Sequence, residues 1–322
     1  MKLIVQIPCF NEETTLPLVI AGIPRSFPGV DAVEILVIDD GSSDRTAAIA
    51  REHGADHVIS NNRNKGLASS FQAGIEAALA RGADIIVNTD GDNQYSGSSI
   101  PDLVRPILEQ RADIVVGDRN PGDNSDFSWL KRQLQKIGTR IVGNLARVDV
   151  NDAVSGFRAY SRNAAYTINV MTRFSYTTES LIHAGQRDLT VVSVPVMTNP
   201  TTRPSRLTGS TSGFLRKQIV TILRSYFMYR PLSAFLSAGL VMIAIGLLPV
   251  LRFLFYYATG DGDGHIQSLV LGSMFLLAGY ITVVIAFLSD SLSTNRRLTE
   301  SVLERVRQLE MKSSARDRET DQ

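Results

Sequence analysis

Ile85-Ile86-Val87-Asn88-Thr89-Asp90-Gly91-Asp92-Asn93-Gln94 is the stretch whose reading organises the rest of the chain. Ile85–Thr89 is a short apolar run of the kind that forms a strand buried on both faces of a parallel sheet. Two carboxylates, one residue apart, stand at its end. There Asp90 and Asp92 can hold a Mg2+ or Mn2+ ion that also grips a diphosphate. Gly91 between them lets another backbone approach closely. A D-x-D pair by itself is usually a turn. The chain carries a second one, Asp261-Gly262-Asp263, between two long apolar runs, and that copy reads as a solvated turn. What distinguishes Asp90 and Asp92 is the company they keep.

Working outward, Leu3–Ile7, Glu34–Asp39, Val58–Ser60 and Ile114–Gly117 are further short runs rich in Ile and Val. Helical patterns lie between them, over Thr14–Ala21, Thr46–His53, Leu67–Arg81 and Ile100–Glu109. The alternation predicts an α/β fold, a mostly parallel sheet with helices on both faces. Trp129–Arg147 reads as helical, Leu189–Met197 as a further strand, and residues 199–213 as a loop. Polar residues cluster just past the strands: Asn11-Glu12, Asp39-Asp40, Asp90–Asp92 and Asp118-Arg119. Ligands of such sheets bind at the carboxyl ends of the strands, so one site is expected to collect all four clusters.

Asp39-Asp40-Gly41-Ser42-Ser43-Asp44 ends one strand and opens a helix. Ser43 or Asp44 can cap that helix. Capping leaves the two carboxylates before the glycine unexplained, and one there can accept from a nucleobase N–H or a ribose hydroxyl. No G-x-G-x-x-G and no G-x-x-x-x-G-K-[ST] is present, which removes the usual dinucleotide and P-loop sites. His53, His57, His183 and His265 are scattered and read as structural. The single cysteine, Cys9, excludes an internal disulfide and reads as a small buried residue at a strand end. A net charge of +1 gives no field for nucleic acid.

The last third changes character. Leu232–Leu251 and Ile266–Leu288 are uncharged runs long enough to cross a hydrocarbon core of about 30 Å. Before them, Phe214–Arg230 has the pattern of an amphipathic helix lying in the membrane interface. Arg216, Lys217, Arg224 and Arg230 precede the runs, and Arg296, Arg297, Arg305 and Arg307 follow them. The connector has acids but neither Lys nor Arg. The positive-inside rule then puts both termini and the N-terminal domain in the cytoplasm, with the protein multi-pass in the cytoplasmic membrane. The start of the chain does not read as a signal peptide. The expected organisation is a soluble domain over 1–213, a juxtamembrane helix over 214–230, spans over 231–257 and 266–288, an outer loop over 258–265, and a charged tail over 289–322. In the tail, Leu298, Val302, Val306 and Leu309 trace a helical stripe, and fixed structure is not expected from Lys312 onward.

Pro8-x-Phe10-Asn11-Glu12, Asp39–Asp44, Asn64-Lys65-Gly66, Asp90-Gly91-Asp92-x-Gln94, Gly117-x-Arg119 and Ser155-Gly156-Phe157-Arg158 occur in this order. As a set, over about residues 1–230, they resemble family 2 glycosyltransferases of the A-type (GT-A) fold, in particular the membrane-anchored dolichyl- and polyprenyl-phosphate mannose and glucose synthases. The resemblance implies that Pro8, Phe10, Glu12 and Asp39, with Asn11, Asp40 and Lys65 in the same motifs, hold a nucleotide sugar. It implies that Asp90, Asp92 and Gln94, with Gly91, hold the Mg2+ or Mn2+ and the diphosphate. It also implies that Arg119, Arg132 and Arg206 gather around the diphosphate and the acceptor's phosphate, and that Ser155 sits near the acceptor. The implied reaction is inverting transfer of a sugar from a UDP- or GDP-linked donor to a polyprenyl phosphate. The partners are the donor, the lipid acceptor and the bilayer, without nucleic acid, and a homo-oligomer stays open.

Two departures stand out: Asp92-Asn93-Gln94-Tyr95-Ser96 replaces the common D-L-Q-H-P, and residues 120–128 are unusually acidic, with Asp123 and Asp126. The first leaves the sugar open. A processive or hydroxyl-directed polysaccharide transferase is the nearest rival, but Q-x-x-R-W is absent. A non-catalytic membrane partner has no reason to keep Asp90, Asp92 and Gln94 together. Asp152, three residues before Ser155, is a tempting general base; its simpler role is to orient Arg158 or another nearby cation.

Overall fold

The structure is a computed structural model that describes residues 1–119, 139–140, 142–143, 146, 148–168, 170, 176–200, 227, 231–260 and 265–320. The chain divides into two compact units, Met1–Ile222 with Glu304–Gln322, and Leu223–Leu303.

The first unit is built on a seven-stranded sheet: β1 (Lys2–Cys9), β2 (Ala32–Asp39), β3 (His57–Ser60), β4 (Ile85–Asn88), β5 (Ile114–Asp118), β6 (Arg158–Ser161) and β7 (Val191–Pro195), in the order β3-β2-β1-β4-β6-β5-β7. β3, β2, β1 and β4 are parallel, with Val5 of β1 level with Ile35 on one side and Val87 on the other. β6 runs antiparallel to both neighbours, β4 and β5, and β7 is parallel to β5.

Helices α1 (Leu16–Gly22), α2 (Thr46–Glu52), α3 (Leu67–Ala80), α4 (Ile100–Leu108), α5 (Arg162–Thr167) and α6 (Tyr176–Gln186) connect the strands. β1 explains why both faces are covered. Leu3, Val5, Ile7 and Cys9 point to the side packed by Leu16, Val19 and Ile20 of α1 and by Ile100, Leu103, Val104 and Ile107 of α4. The intervening residues point the other way, where the Gln6 side chain meets α3 at Phe71 O. In α4 the buried Ile100, Leu103, Val104 and Ile107 fall at i, i+3, i+4 and i+7, the spacing of one helical face. A strand buried at nearly every position fits only between two layers.

The second unit holds α7 (Pro231–Ala258) and most of α8 (Ile266–Thr320). Pro231–Ala258 and Ile266–Arg296 are long and apolar enough to cross a membrane. Their mutual packing rests on four glycines, spaced seven residues apart on each helix. A Cβ on Gly239 would lie 3.0 Å from Gly279 O, and one on Gly279 would lie 2.9 Å from Gly239 O. Gly246 and Gly272 are related in the same reciprocal way, at 2.9 and 2.8 Å. Backbone therefore meets backbone at two levels, the contact that small residues permit between apolar helices.

Several features of the fold differ from the sequence reading, helix α5 among them. The antiparallel β6 and helix α6 were not anticipated, and the last strand is Val191–Pro195 rather than Leu189–Met197. α8 continues through the charged tail to Thr320. Glu, Lys, Arg, Gln and Ala are good helix formers, and extending an existing helix needs no new nucleus. The expected juxtamembrane helix 214–230, apart from Phe227, lies outside the described residues, as do most of Trp129–Arg147, Asp123, Asp126 and the 261–263 turn.

Candidate active site

The order β3-β2-β1-β4 reverses its direction of growth between β1 and β4, and such a reversal opens a crevice at the carboxyl edge. The loops after these two strands meet there. The Thr15 hydroxyl lies within hydrogen-bond distance of Gly91 O (2.7 Å) and Glu12 Oε2 (2.9 Å). A Cβ on Gly91 would fall 2.8 Å from Cys9 Sγ and 3.3 Å from Glu12 Cγ. The glycine between the two aspartates is thus what lets the β4 loop press against the β1 loop.

β2 contributes next. Asp39 is buried and accepts from Ser42 N–H at 3.0 Å. Asn11, with φ of 57°, donates its N–H to Ser42 Oγ (2.9 Å), and its Oδ1 accepts from Ser43 N–H (2.8 Å). Asn11 thereby locks the β1 loop to the β2 loop. Pro8 is buried on β1, while Phe10 is 39% exposed and offers an aromatic surface at the crevice. Asp40 is turned away from the crevice: its carboxylate accepts from Asn61 Nδ2, Lys65 N–H and Gly66 N–H at 2.8–2.9 Å. Its work is to hold the loop that carries the exposed Lys65. The N-cap of α2 is Arg45, not Ser43 or Asp44; Asp44, one position earlier, still accepts from Thr46 N–H at the start of the helix.

The antiparallel strand completes the site. Because β6 runs against β4 and β5, its leading loop, Asp152–Phe157, arrives at their carboxyl ends. Gly156 is wedged there: a Cβ would lie 2.5 Å from the Tyr176 hydroxyl and 3.0 Å from Asp90 Oδ2. Ser155, beside it, is fully buried. Arg119, at the end of β5, makes a two-pronged ion pair with Asp152, Nε to Oδ2 at 2.7 Å and Nη2 to Oδ1 at 3.1 Å. Asp152 is wholly buried and the Arg119 side chain only 15% exposed. Asp152 therefore orients Arg119, not Arg158. Arg158 is fully buried and donates instead to Ser155 O, Ala153 O, Thr177 O and Ser180 Oγ, which ties the loop to α6.

Burial, the like charge of Asp92 and that of Glu12 raise the Asp90 carboxyl to about 7, against an opposing pull from Arg119. Burial opposes the charge of Arg119, but Tyr95, Asp152 and Asp90 outweigh it and hold the guanidinium above its ordinary value. Arg119 also lies 5.9 Å from the Tyr95 ring. Burial pushes the Tyr95 hydroxyl to about 12, and that oxygen accepts from Gly156 N–H. Asp90 thus binds a proton in the fold that it would release at about pH 4 when unfolded. Its stabilising contribution is full below about pH 4 and lost as pH rises through about 7. Asp90→Asn is expected to raise the metal-free protein's stability at pH 8 by roughly 1–3 kcal/mol and to change it little at pH 4. Thermal melts at the two pH values check this; an equal shift at both would contradict it.

Sequence reasoning missed three supporting residues. Gln6 Nε2 donates to Asn88 Oδ1 (2.9 Å), and Asn88 Nδ2 donates to Gly156 O (2.8 Å) and the Tyr176 hydroxyl (3.1 Å). All three residues are buried. This polar line runs beneath Asp90 and sets the height of Gly156. Its signal was present in the sequence, as a single amide interrupting each of two apolar strands. Gln94 N–H donates to Asp92 Oδ1 at 3.1 Å. Arg132 and Arg206 lie outside the described residues. A cavity of about 520 Å³ is lined by Leu18, Ile23, Thr89, Tyr95, Ile100 and Asn199 among others.

Among the described residues no group of three or more His, Cys, Asp or Glu is gathered for a metal. Two carboxylates still suit Mg2+ or Mn2+, which commonly take one or two protein carboxylates and fill their remaining positions with substrate phosphates and water. The raised Asp90 carboxyl marks a pair short of positive charge, which a divalent cation would supply.

The mixed sheet, with its crevice at the switch point between β1 and β4, is that of a GT-A glycosyltransferase. Glycosyl transferase family 2 matches residues 4–168, just over half of the chain, and the chain belongs to this family. An uncharacterized glycosyltransferase of Mycobacterium tuberculosis is 32% identical over 224 residues, covering 68% of this chain and 94% of its own length. Polyprenol monophosphomannose synthase of Mycolicibacterium smegmatis is 29% identical over 221 residues, 65% of this chain and 82% of that one. Glucosyl-3-phosphoglycerate synthase of M. tuberculosis in complex with Mn2+, UDP-glucose and phosphoglyceric acid shares the fold with a TM-score of 0.52 at 24% identity, over 70% of this chain and 79% of its own.

Proposed function

We propose that this glycosyltransferase moves a hexosyl group from a UDP- or GDP-sugar to the phosphate of a polyprenyl phosphate, with inversion, at the cytoplasmic face of a membrane. The observation that carries the reading is that one chain holds both the Asp90, Asp92 and Arg119 crevice and two helices of membrane-crossing length. The identity with polyprenol monophosphomannose synthase supports the acceptor class, and the Mn2+ and UDP-glucose in a structural neighbour support the donor and ion.

In this reading Asp39 accepts from the nucleoside and Phe10 covers it. Asp90 and Asp92, with Gln94, would hold Mg2+ or Mn2+, which would supply positive charge to offset that of the nucleoside diphosphate leaving group. Arg119 supplies fixed positive charge to the same end, already oriented by Asp152 and so needing no reorganisation. Arg132 and Arg206 are assigned to the acceptor phosphate. The acceptor oxygen attacks the anomeric carbon opposite the leaving group, and no covalent enzyme intermediate is needed. A phosphate monoester with a second pKa of about 6 is already a dianion near neutrality, so the site needs no general base. Asp152, fully engaged by Arg119, is not placed as one. Holding the domain at the headgroup layer raises the effective concentration of the lipid.

The test is a panel of UDP- and GDP-sugars with Mn2+ or Mg2+, offered polyprenyl phosphate, polyprenol or phosphoglyceric acid. Radiolabelled glycolipid formed from polyprenyl phosphate alone is expected. Transfer to polyprenol or to phosphoglyceric acid, with none to polyprenyl phosphate, would overturn the acceptor assignment.

A further inference from the structure

The loop that carries Asp92 is held from outside the D-x-D motif. After β7 the chain stays level with the site: Val196 N–H donates to Asp118 O (3.0 Å), Ser96 N–H donates to Met197 O (3.1 Å), and Tyr95 bridges Thr198. Asn199 then clamps the metal loop on two edges. Its backbone N–H donates to Gln94 O (2.9 Å), and its side-chain Nδ2 donates to Asn93 O (3.0 Å) and approaches Asn93 Oδ1 (3.2 Å). A backbone carbonyl can only accept, so the amide must present its NH2 here. Pro200 follows at once and restricts Asn199 to extended backbone, which makes the clamp stiff.

What is clamped is a turn that resists forming. Asn93 has φ of +60°, the left-handed region, which asparagine tolerates better than most residues but does not prefer. That turn lets Gln94 N–H reach Asp92 Oδ1 and so fixes the carboxylate's direction. The departure at position 93 thereby has a structural reason: asparagine takes the left-handed turn and offers Oδ1 to Asn199, and leucine can do neither as well.

We propose that Asn199 is a positioning residue for the metal site: it holds the 92–94 turn in its left-handed form and so aims Asp92. The proposal rests on the reading of Asp92 as a metal ligand. The probe is Mn2+ binding to the full chain in detergent, followed by electron paramagnetic resonance, with saturating UDP or GDP, whichever the wild type binds. Asn199→Ala is expected to weaken Mn2+ binding about tenfold, leaving the KM for the lipid acceptor unchanged. In an Asn93→Gly background the same substitution is expected to cost threefold or less, on the order of the residual backbone bond to Gln94, because glycine takes positive φ without help. Loss of Mn2+ binding in Asp92→Asn with unchanged binding in Asn199→Ala would overturn the clamp and leave the metal site standing. An equal loss in both backgrounds would overturn it too, since a merely structural Asn199 would act regardless of residue 93. Mn2+ binding that survives Asp92→Asn would remove the site reading itself, and the clamp with it.

Discussion

Asp92→Asn is expected to lower glycolipid formation by about a thousandfold while leaving the melting temperature within a few degrees of wild type. The carboxylate is only partly buried, and its one hydrogen bond with a described residue, from Gln94 N–H, survives in the amide. The fold therefore loses little. What is lost is half of the carboxylate charge that, on the proposed reading, would face the ion and the diphosphate. Single-turnover transfer from labelled donor, run beside a thermal melt, separates the two effects. Near wild-type turnover with Mn2+ or Mg2+ would remove Asp92 from the site.

Arg119→Ala is expected to cost about 3 kcal/mol of stability as well as at least a hundredfold in transfer. Two physical effects coincide in this residue. Asp152 is fully buried, and without the guanidinium it is an uncompensated charge. Asp90 loses the cation that pulls its carboxyl down, so its pKa rises further. The double variant Arg119→Met/Asp152→Leu separates structure from chemistry. Replacing a buried pair with apolar residues of similar size is often tolerated, so the melting temperature is expected to recover while transfer stays low. Recovery of transfer as well would reduce Arg119 to a structural strut. Asp152→Asn, which keeps an acceptor for the guanidinium, is expected to cost far less than either.

The sequence exposed the parts of this molecule that obey simple periodicities. β1, β2, β4 and β5 are predominantly apolar runs, and their helices fall at the expected spacing, so these strands and their carboxyl edge could be read directly. The two long helices were equally plain. β6 could not be found this way, because Arg-Ala-Tyr-Ser is not an apolar run and its first residue is a cation buried by backbone carbonyls. α6 is fully buried over Tyr176–Ala184 except at Thr178 and carries Glu179 and His183 inside, so it has no polar face to betray it. These hidden elements are the ones that bring Ser155, Gly156 and Asp152 to the site. Motif order named those residues, but only the antiparallel strand explains how they reach Asp90. Asp39 and Asp40 look equivalent in the sequence. One extra residue of backbone turns Asp40 toward the 61–66 loop, a distinction that alternation along a strand dictates only once the strand's end is known.

The reciprocal glycines of α7 and α8 bear on what happens after catalysis. At the levels of Gly239 with Gly279 and of Gly246 with Gly272, the two helices approach to backbone contact. At those two levels the backbones leave no room for water between them. A sugar phosphate on a lipid tail is too polar to flip through hydrocarbon unaided, and this hairpin offers it no sheltered route. If the product is the glycolipid proposed above, its crossing to the far leaflet would be the task of a separate translocase.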